Sequence, residues 1–336
     1  MYSQLSEGKG SKNPMSNLGM CANSAQTGKG ESKLKRLLVA VWHHRFYYLI
    51  LLPLIAWYVI MCYVPMYGLQ LAFKDYKFNL GITGSPWNNF AHFRSLWQDA
   101  EFWSAFRNTL IISLGKLVFH FPLPIVLAIV MNELSSGKLS RIFQSVFTFP
   151  HLISWVVLAG IITNLFSNSG AINQILVALG FDAISPLTST EYFRPMLYIT
   201  HIWKEIGWDS IIYMAALTGI SSELNEAAVI DGANRFQRIW HISLPGIKNI
   251  ICILLILQIG NTMGIGSSFD QVFNLYSAPV YSVADTIDTF IYRKTFAVGC
   301  NFGYTTAVGM LKSVINVILI VTANSVVKKM GEDGLY

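Results

Sequence analysis

Between residues 195 and 220 an otherwise apolar stretch carries His201, Lys204, Glu205 and Asp209, with Trp203 and Trp208 beside them. Imidazole, amine and carboxylate groups move protons, hold metals or bind polar solutes, so any chemistry within the apolar part of the chain would sit here. Residues four apart share a helix face, which places His201, Glu205 and Asp209 on one polar stripe. Lys116, Asn261, Lys312 and Asn316 are polar residues in or beside other apolar stretches, and Lys116, Lys312 and Asn316 are candidate partners for the stripe. Catalytic frameworks are missing from the sequence. His120, His151 and His201 lack a metal spacing such as His-Glu-x-x-His, and neither Gly-x-Ser-x-Gly nor the phosphate-cradling Gly-x-x-x-x-Gly-Lys-Ser/Thr occurs. The chain is therefore expected to be no enzyme and to bind no metal or cofactor itself. Two roles fit the stripe: a path for a polar solute, or a buried ion pair that fixes helix packing.

The element that must carry the stripe is a membrane helix. Of 336 residues, 53% are hydrophobic and 12% charged, against about 25% charged in soluble domains. Six stretches approach the ~20 apolar residues needed to cross a hydrocarbon core of ~30 Å. They are 47–67, 108–131, 142–166, 195–220, 247–263 and 305–327. Alternating segments of the outer-membrane barrel type are lacking, so the expected fold class is an all-α integral membrane protein with six transmembrane helices. A charge at mid-bilayer costs about 2.5–3.5 kcal/mol on insertion scales, so the stripe must face protein or water. Pro122 and Pro124 are expected to kink the second span.

The net charge of +6 follows membrane topology rather than nucleic-acid binding. Lys33, Lys35, Arg36 and Arg45 precede the first span, Lys138 and Arg141 follow the second, Arg235 and Arg238 the fourth, and Lys328 and Lys329 the sixth. The positive-inside rule makes these segments cytoplasmic, with both termini inside and the connections near 68–107, 167–194 and 264–304 outside. The aromatic residues of the first outer connection, among them Trp87, Trp97 and Trp103, fit an interfacial belt or an external partner. Residues 1–32, rich in Gly, Ser, Asn and Lys, are expected as a disordered cytoplasmic tail. Leu34, Leu37, Leu38, Val41 and Trp42 make 33–46 an interfacial amphipathic helix or an extension of the first span. The four cysteines have no metal-like spacing, and Cys21 lacks the preceding apolar segment that lipidation requires.

The most informative stretch is the cytoplasmic loop 221–246. Ser222 is expected to cap a short helix with Glu223 and Glu226 near its positive end, and Leu224, Ala227, Ala228 and Asp231 on one face. Gly232 permits the left-handed turn that ends it. Phe236, Ile239 and Trp240 line one side of a second helical stretch, closed by Leu244 and Pro245 before the fifth span. Glu226-Ala227-Ala228, Gly232, and Ile242-Ser243-Leu244-Pro245 together resemble the EAA loop of binding-protein-dependent ABC importer permeases. Asn132-Glu133, the run 149–157, the run 202–208 and Thr306-Ala307-Val308-Gly309 resemble the sugar-permease branch, and within it LplB-type polysaccharide or oligosaccharide permeases akin to alginate-importer subunits.

The resemblance implies a type I permease fold over 47–336 in a bacterial inner membrane, with 221–246 as the coupling loop that enters a cleft of a separate ATPase. It implies a heterodimer with a second related permease, two ATPase subunits carrying ATP and Mg, an extracytoplasmic solute-binding protein, and a carbohydrate moved by alternating access. Lys116, Asn261, Lys312, Asn316 and the residues of the stripe would then line the substrate path, with Trp203 or Trp208 stacking on a sugar ring. The alternatives are a permease for another solute, such as amino acids or polyamines, and an ATP-independent transporter or intramembrane enzyme.

Overall fold

The computed structural model describes residues 42–134, 137–167, 169–261, 267–297, 299–329, 331 and 334–335. The expected tail 1–32 and most of the 33–46 helix lie outside them. Among the described residues the secondary structure is helical, with a single isolated bridge between Lys74 and Trp87 and no strand. The chain divides into two compact units that meet between Tyr67 and Gly68.

The first unit contains helix α1, Arg45–Tyr58, followed by a π turn, Val59–Tyr63. The helical path continues as a 3-10 stretch, Val64–Phe73, and Arg45–Phe73 is apolar and long enough to cross a membrane. Pro65, which has no N–H to donate, sits where the wider turn gives way to the tighter one. No residue of α1 is buried. A helix apolar on all sides and covered on none requires lipid or another chain around it.

The second unit begins with α2, Ala91–Gln98, and α3, Ala100–His120. Asp99 caps α3, its carboxylate accepting from the N–H groups of Glu101 at 2.9 Å and Phe102 at 3.3 Å. α4, Pro122–Glu133, follows after an interruption at Phe121, and Ala100–Glu133 together form a 34-residue candidate span. Pro122 takes the first helical position, where its missing donor costs little.

The expected span 142–166 is not continuous. α5, Gly137–Thr148, passes through a 3-10 turn, Phe149–Leu152, into α6, Trp155–Leu165, with a bend of 93°. Pro150 withholds a donor, Ile153 and Ser154 turn extended, and the Ser154 hydroxyl caps α6 by accepting from Val157 N–H. After α7, Ala171–Ala178, the expected fourth span appears as one unbroken helix, α8, Phe193–Thr218. Its 26 residues reach ~39 Å at 1.5 Å per residue. Its charges keep it out of the set of apolar spans, which among the described residues comprises three single helices and two bent pairs. The loop 221–246 leads into α11, Lys248–Asn261, across a bend of 61°. The chain closes with α12, Ser267–Leu275, α13, Ile287–Tyr292, and α14, Phe302–Lys329.

α8 organises the packing. Phe193 and Leu197 pack with Ile112 of α3, Leu158 of α6 and Val272 of α12. Tyr213 and Leu217, about four to seven helical turns further along, pack with Ile125, Ala128 and Ile129 of α4 and with Ile247. Separate clusters join α2, α3, α13 and α14 around Phe102 and Phe290, and α11 to α14 around Ile256 and Val327.

Candidate functional site

The loop is two short helices on a buried base. Its first helix, α9, is Ser222–Ile230, and its cap is Ser221 rather than the expected Ser222: the Ser221 hydroxyl accepts from Glu223 N–H at 3.2 Å. Adjacent serines are equally able to cap, and the extended ψ of 131° at Ser221 selects it. Gly232 has φ of +78°, as expected, and Ala233 N–H donates back to Ala228 O at 2.8 Å, a Schellman-type ending. The second stretch is helical over Arg235–Gly246, with a change of turn inside it. α10, Arg235–Arg238, opened by a capping box between Asn234 and Gln237, gives way to a π turn, Ile239–Ser243.

That π turn sorts the side chains. Ile239 and Leu244 turn inward onto the α4–α8 cluster, and Ile247 is fully buried there. Arg238 reaches Glu133 at the end of α4, with Nη2 to Oε2 at 3.7 Å. The outward surface is left apolar: Ile230 is 86% exposed, Phe236 84%, Trp240 69% and Leu224 56%. Glu226, Ala227, Asp231 and Pro245 are exposed beside them and Ala228 is half-buried. An anchored base with an uncovered apolar rim is the form taken by protein or membrane contact surfaces.

The stripe on α8 divides among partners. His201 and Lys204 are buried. Lys204 Nζ donates to the carbonyl of His151 at 2.6 Å and stands 3.5 Å from Glu205. Glu205 Oε2 lies 2.6 Å from His151 Nδ1, and a carboxylate can only accept, so that ring nitrogen donates. Trp208 lies flat on the same imidazole, centroids 4.3 Å apart and planes 5° apart. Four residues of α8 and the bend thus form a clasp on the 149–152 turn. Asp209 pairs instead with His120 of α3 at 2.8 Å, and the His120 and His201 rings meet edge to face at 4.7 Å. Lys116 is buried within electrostatic reach of Glu205 and His201. Trp203 is exposed.

Lys312 does not pair with the stripe. Its amine binds Asp288 of α13. Lys312, Asp288 and Asn316 line a cavity of about 650 Å³ with Phe269, Tyr292 and Phe296. Asn261 falls in a second cavity, about 210 Å³, beside His120 and Asp209. The expected path residues are therefore spread over a clasp and two cavities rather than one channel.

The sequence profile of the family described as "Binding-protein-dependent transport system inner membrane component" matches residues 124–332, well over half of the chain. The chain belongs to this permease family. The matched region holds the loop, α8 and α14. Among the permease's relatives, "Polygalacturonan/rhamnogalacturonan transport system permease protein YteP" of Bacillus subtilis (strain 168) is 39% identical over 307 residues, covering 91% of this chain and 95% of that protein. "Protein LplB" of the same strain is 39% identical over 310 residues, with coverage of 92% and 95%. A solved chain of a bacterial alginate ABC transporter, in complex with alginate pentasaccharide-bound periplasmic protein, superposes with a TM-score of 0.81 at 36% identity, covering 89% of this chain and all of that one.

Two of this permease's site residues do not stand out in the sequence. His151 is one of three scattered histidines, although it follows Pro150 at the break in the third span. Asp288 lies in α13, 24 residues before Lys312, and no local pattern links them.

Proposed function

We propose that this permease imports a carbohydrate, an oligo- or polysaccharide, as one membrane subunit of an ATP-driven ABC importer. It would pair with a second, related permease, two ATPase subunits that hold ATP and Mg, and an extracytoplasmic solute-binding protein. The observation that carries the coupling part is the loop: an apolar rim on α9 and α10, uncovered, on a base fixed by Ile247 and by Arg238–Glu133. ATP binding would draw this surface toward its counterpart on the second permease. Because Ile239 and Leu244 pack on α4 and α8, the displacement passes into the helices that carry the clasp.

The carbohydrate reading is supported by the likeness to YteP and to the alginate transporter chain. The cavity of about 650 Å³ suits it, since sites for small molecules run to about 300–1,000 Å³. Its aromatic Tyr292 and Phe296 offer flat faces, and Asp288, Lys312 and Asn316 offer groups for hydroxyls. Six membrane crossings with both termini cytoplasmic fit the three single-helix spans and two bent pairs if α8, screened by its partners, is the sixth. Co-purification from the native operon tests the assembly: an ATPase and a second permease should remain bound, and their absence would sink the proposal.

A further inference from the structure

A third cavity, about 400 Å³, opens between the start of α3, the start of α8 and residues 282–283. Its walls include Trp103, Ser104, Arg107, Asn108, Arg194 and Ser282. Both charged residues are arginines, close enough for their charges to repel. Among the described residues neither guanidinium has a carboxylate within 4 Å. The nearby acid, Asp285, is taken by Arg293, with Nη2 to Oδ2 at 2.6 Å.

Arg194 is held in place. Its Nη2 donates to Asn108 Oδ1 at 2.8 Å and its Nε to the Val283 carbonyl at 3.1 Å. Asn108 is itself fixed, its amide donating to the Ser282 and Asp285 carbonyls at 3.1 Å. Five N–H donors on a guanidinium less these two leave three for a ligand. Two like charges sharing one cavity, one of them pre-oriented, make a receptor for an anion, and the planar fork suits a carboxylate. The volume exceeds what a bare inorganic anion fills, and the hydroxyls of Ser104 and Ser282 suit a polar ligand body.

We propose that the Arg107–Arg194 cavity binds the carboxylate of an acidic saccharide, a uronate unit, as it enters the permease. This rests on the carbohydrate reading above and narrows it to acidic chains. Arg107 is exposed and has no hydrogen bond to the fold among those described, so it can be changed without dismantling the site, whereas Arg194 also holds Asn108 and Val283.

The test uses the whole importer in proteoliposomes with its binding protein, supplied with a uronate oligosaccharide or the same oligosaccharide after carboxyl reduction. Arg107→Gln and Arg107→Glu should cut uptake of the acidic form about ten-fold, the size of one charge-assisted hydrogen bond. Arg107→Lys should retain most of it. The concentration of binding protein giving half-maximal rate should stay where it is in the wild type. Unchanged acidic uptake in Arg107→Glu, or a rise in that half-maximal concentration instead, would overturn the site and leave the importer reading standing. Uptake of neither saccharide by the wild type would remove the carbohydrate reading and the site together.

Discussion

Ile230 and Phe236 stand at 86% and 84% exposure on the rim of the loop, and nothing in this chain needs them there. Burying a large apolar side chain at an interface gains about 1.5–3 kcal/mol, so Ile230→Asp or Phe236→Asp should forfeit that much and add the cost of desolvating a carboxylate. At about 1.4 kcal/mol per ten-fold, each should weaken the ATPase by at least roughly ten- to a hundred-fold. Stability of the permease itself should move by less than about 0.5 kcal/mol, because both side chains are already in solvent. Phe181, 65% exposed in the connection between α7 and α8, is the control: Phe181→Asp removes comparable surface away from the loop. The assay is equilibrium binding of the purified ATPase to the permease pair in detergent, alongside thermal unfolding. Wild-type affinity in both loop variants, or equal loss in Phe181→Asp, would refute the docking role of this surface.

Three further outcomes follow from the geometry. Gly207→Ala places a methyl group on the backbone carbonyl of Phe147, which cannot swing aside, so unfolding in detergent should show a loss of about 1–3 kcal/mol. Lys204→Met strands the His151 carbonyl and leaves Glu205 with only its hydrogen bond from His151, which should cost about 1–3 kcal/mol, whereas adding Glu205→Gln should cost less than the sum of the two, read as a double-mutant cycle. Gly232→Pro forces φ near −65° where the turn has +78°, so ATP-driven uptake should be lost with the protein still inserted, while Gly232→Asn, which tolerates the left-handed region, should retain more.

What was legible in the sequence was local. Gly232 and Pro245 punctuate the loop through their own backbone limits, and both stand where their chemistry places them. The choice between Ser221 and Ser222 as cap depends on one backbone dihedral that neither side chain announces. At 149–154, Pro150 and a capping serine do spell a break, but the hydropathy of 142–166 outweighs them when spans are sought by composition. α8 is the reverse case: its length is right, and its charges are tolerable only because His120 and His151, far away in sequence, receive Asp209 and Glu205. Pairings over such separations, like Lys312 with Asp288, are made by tertiary packing and leave no periodic trace.

The central claim is that ATP hydrolysis on a separate subunit drives a saccharide through this permease. The direct measurement is uptake of a labelled uronate oligosaccharide into proteoliposomes holding the complete importer and binding protein, with ATP or a non-hydrolysable analogue enclosed. Accumulation is expected with ATP and none with the analogue. Accumulation that persists with the analogue, or after the ATPase is stripped away, would contradict it.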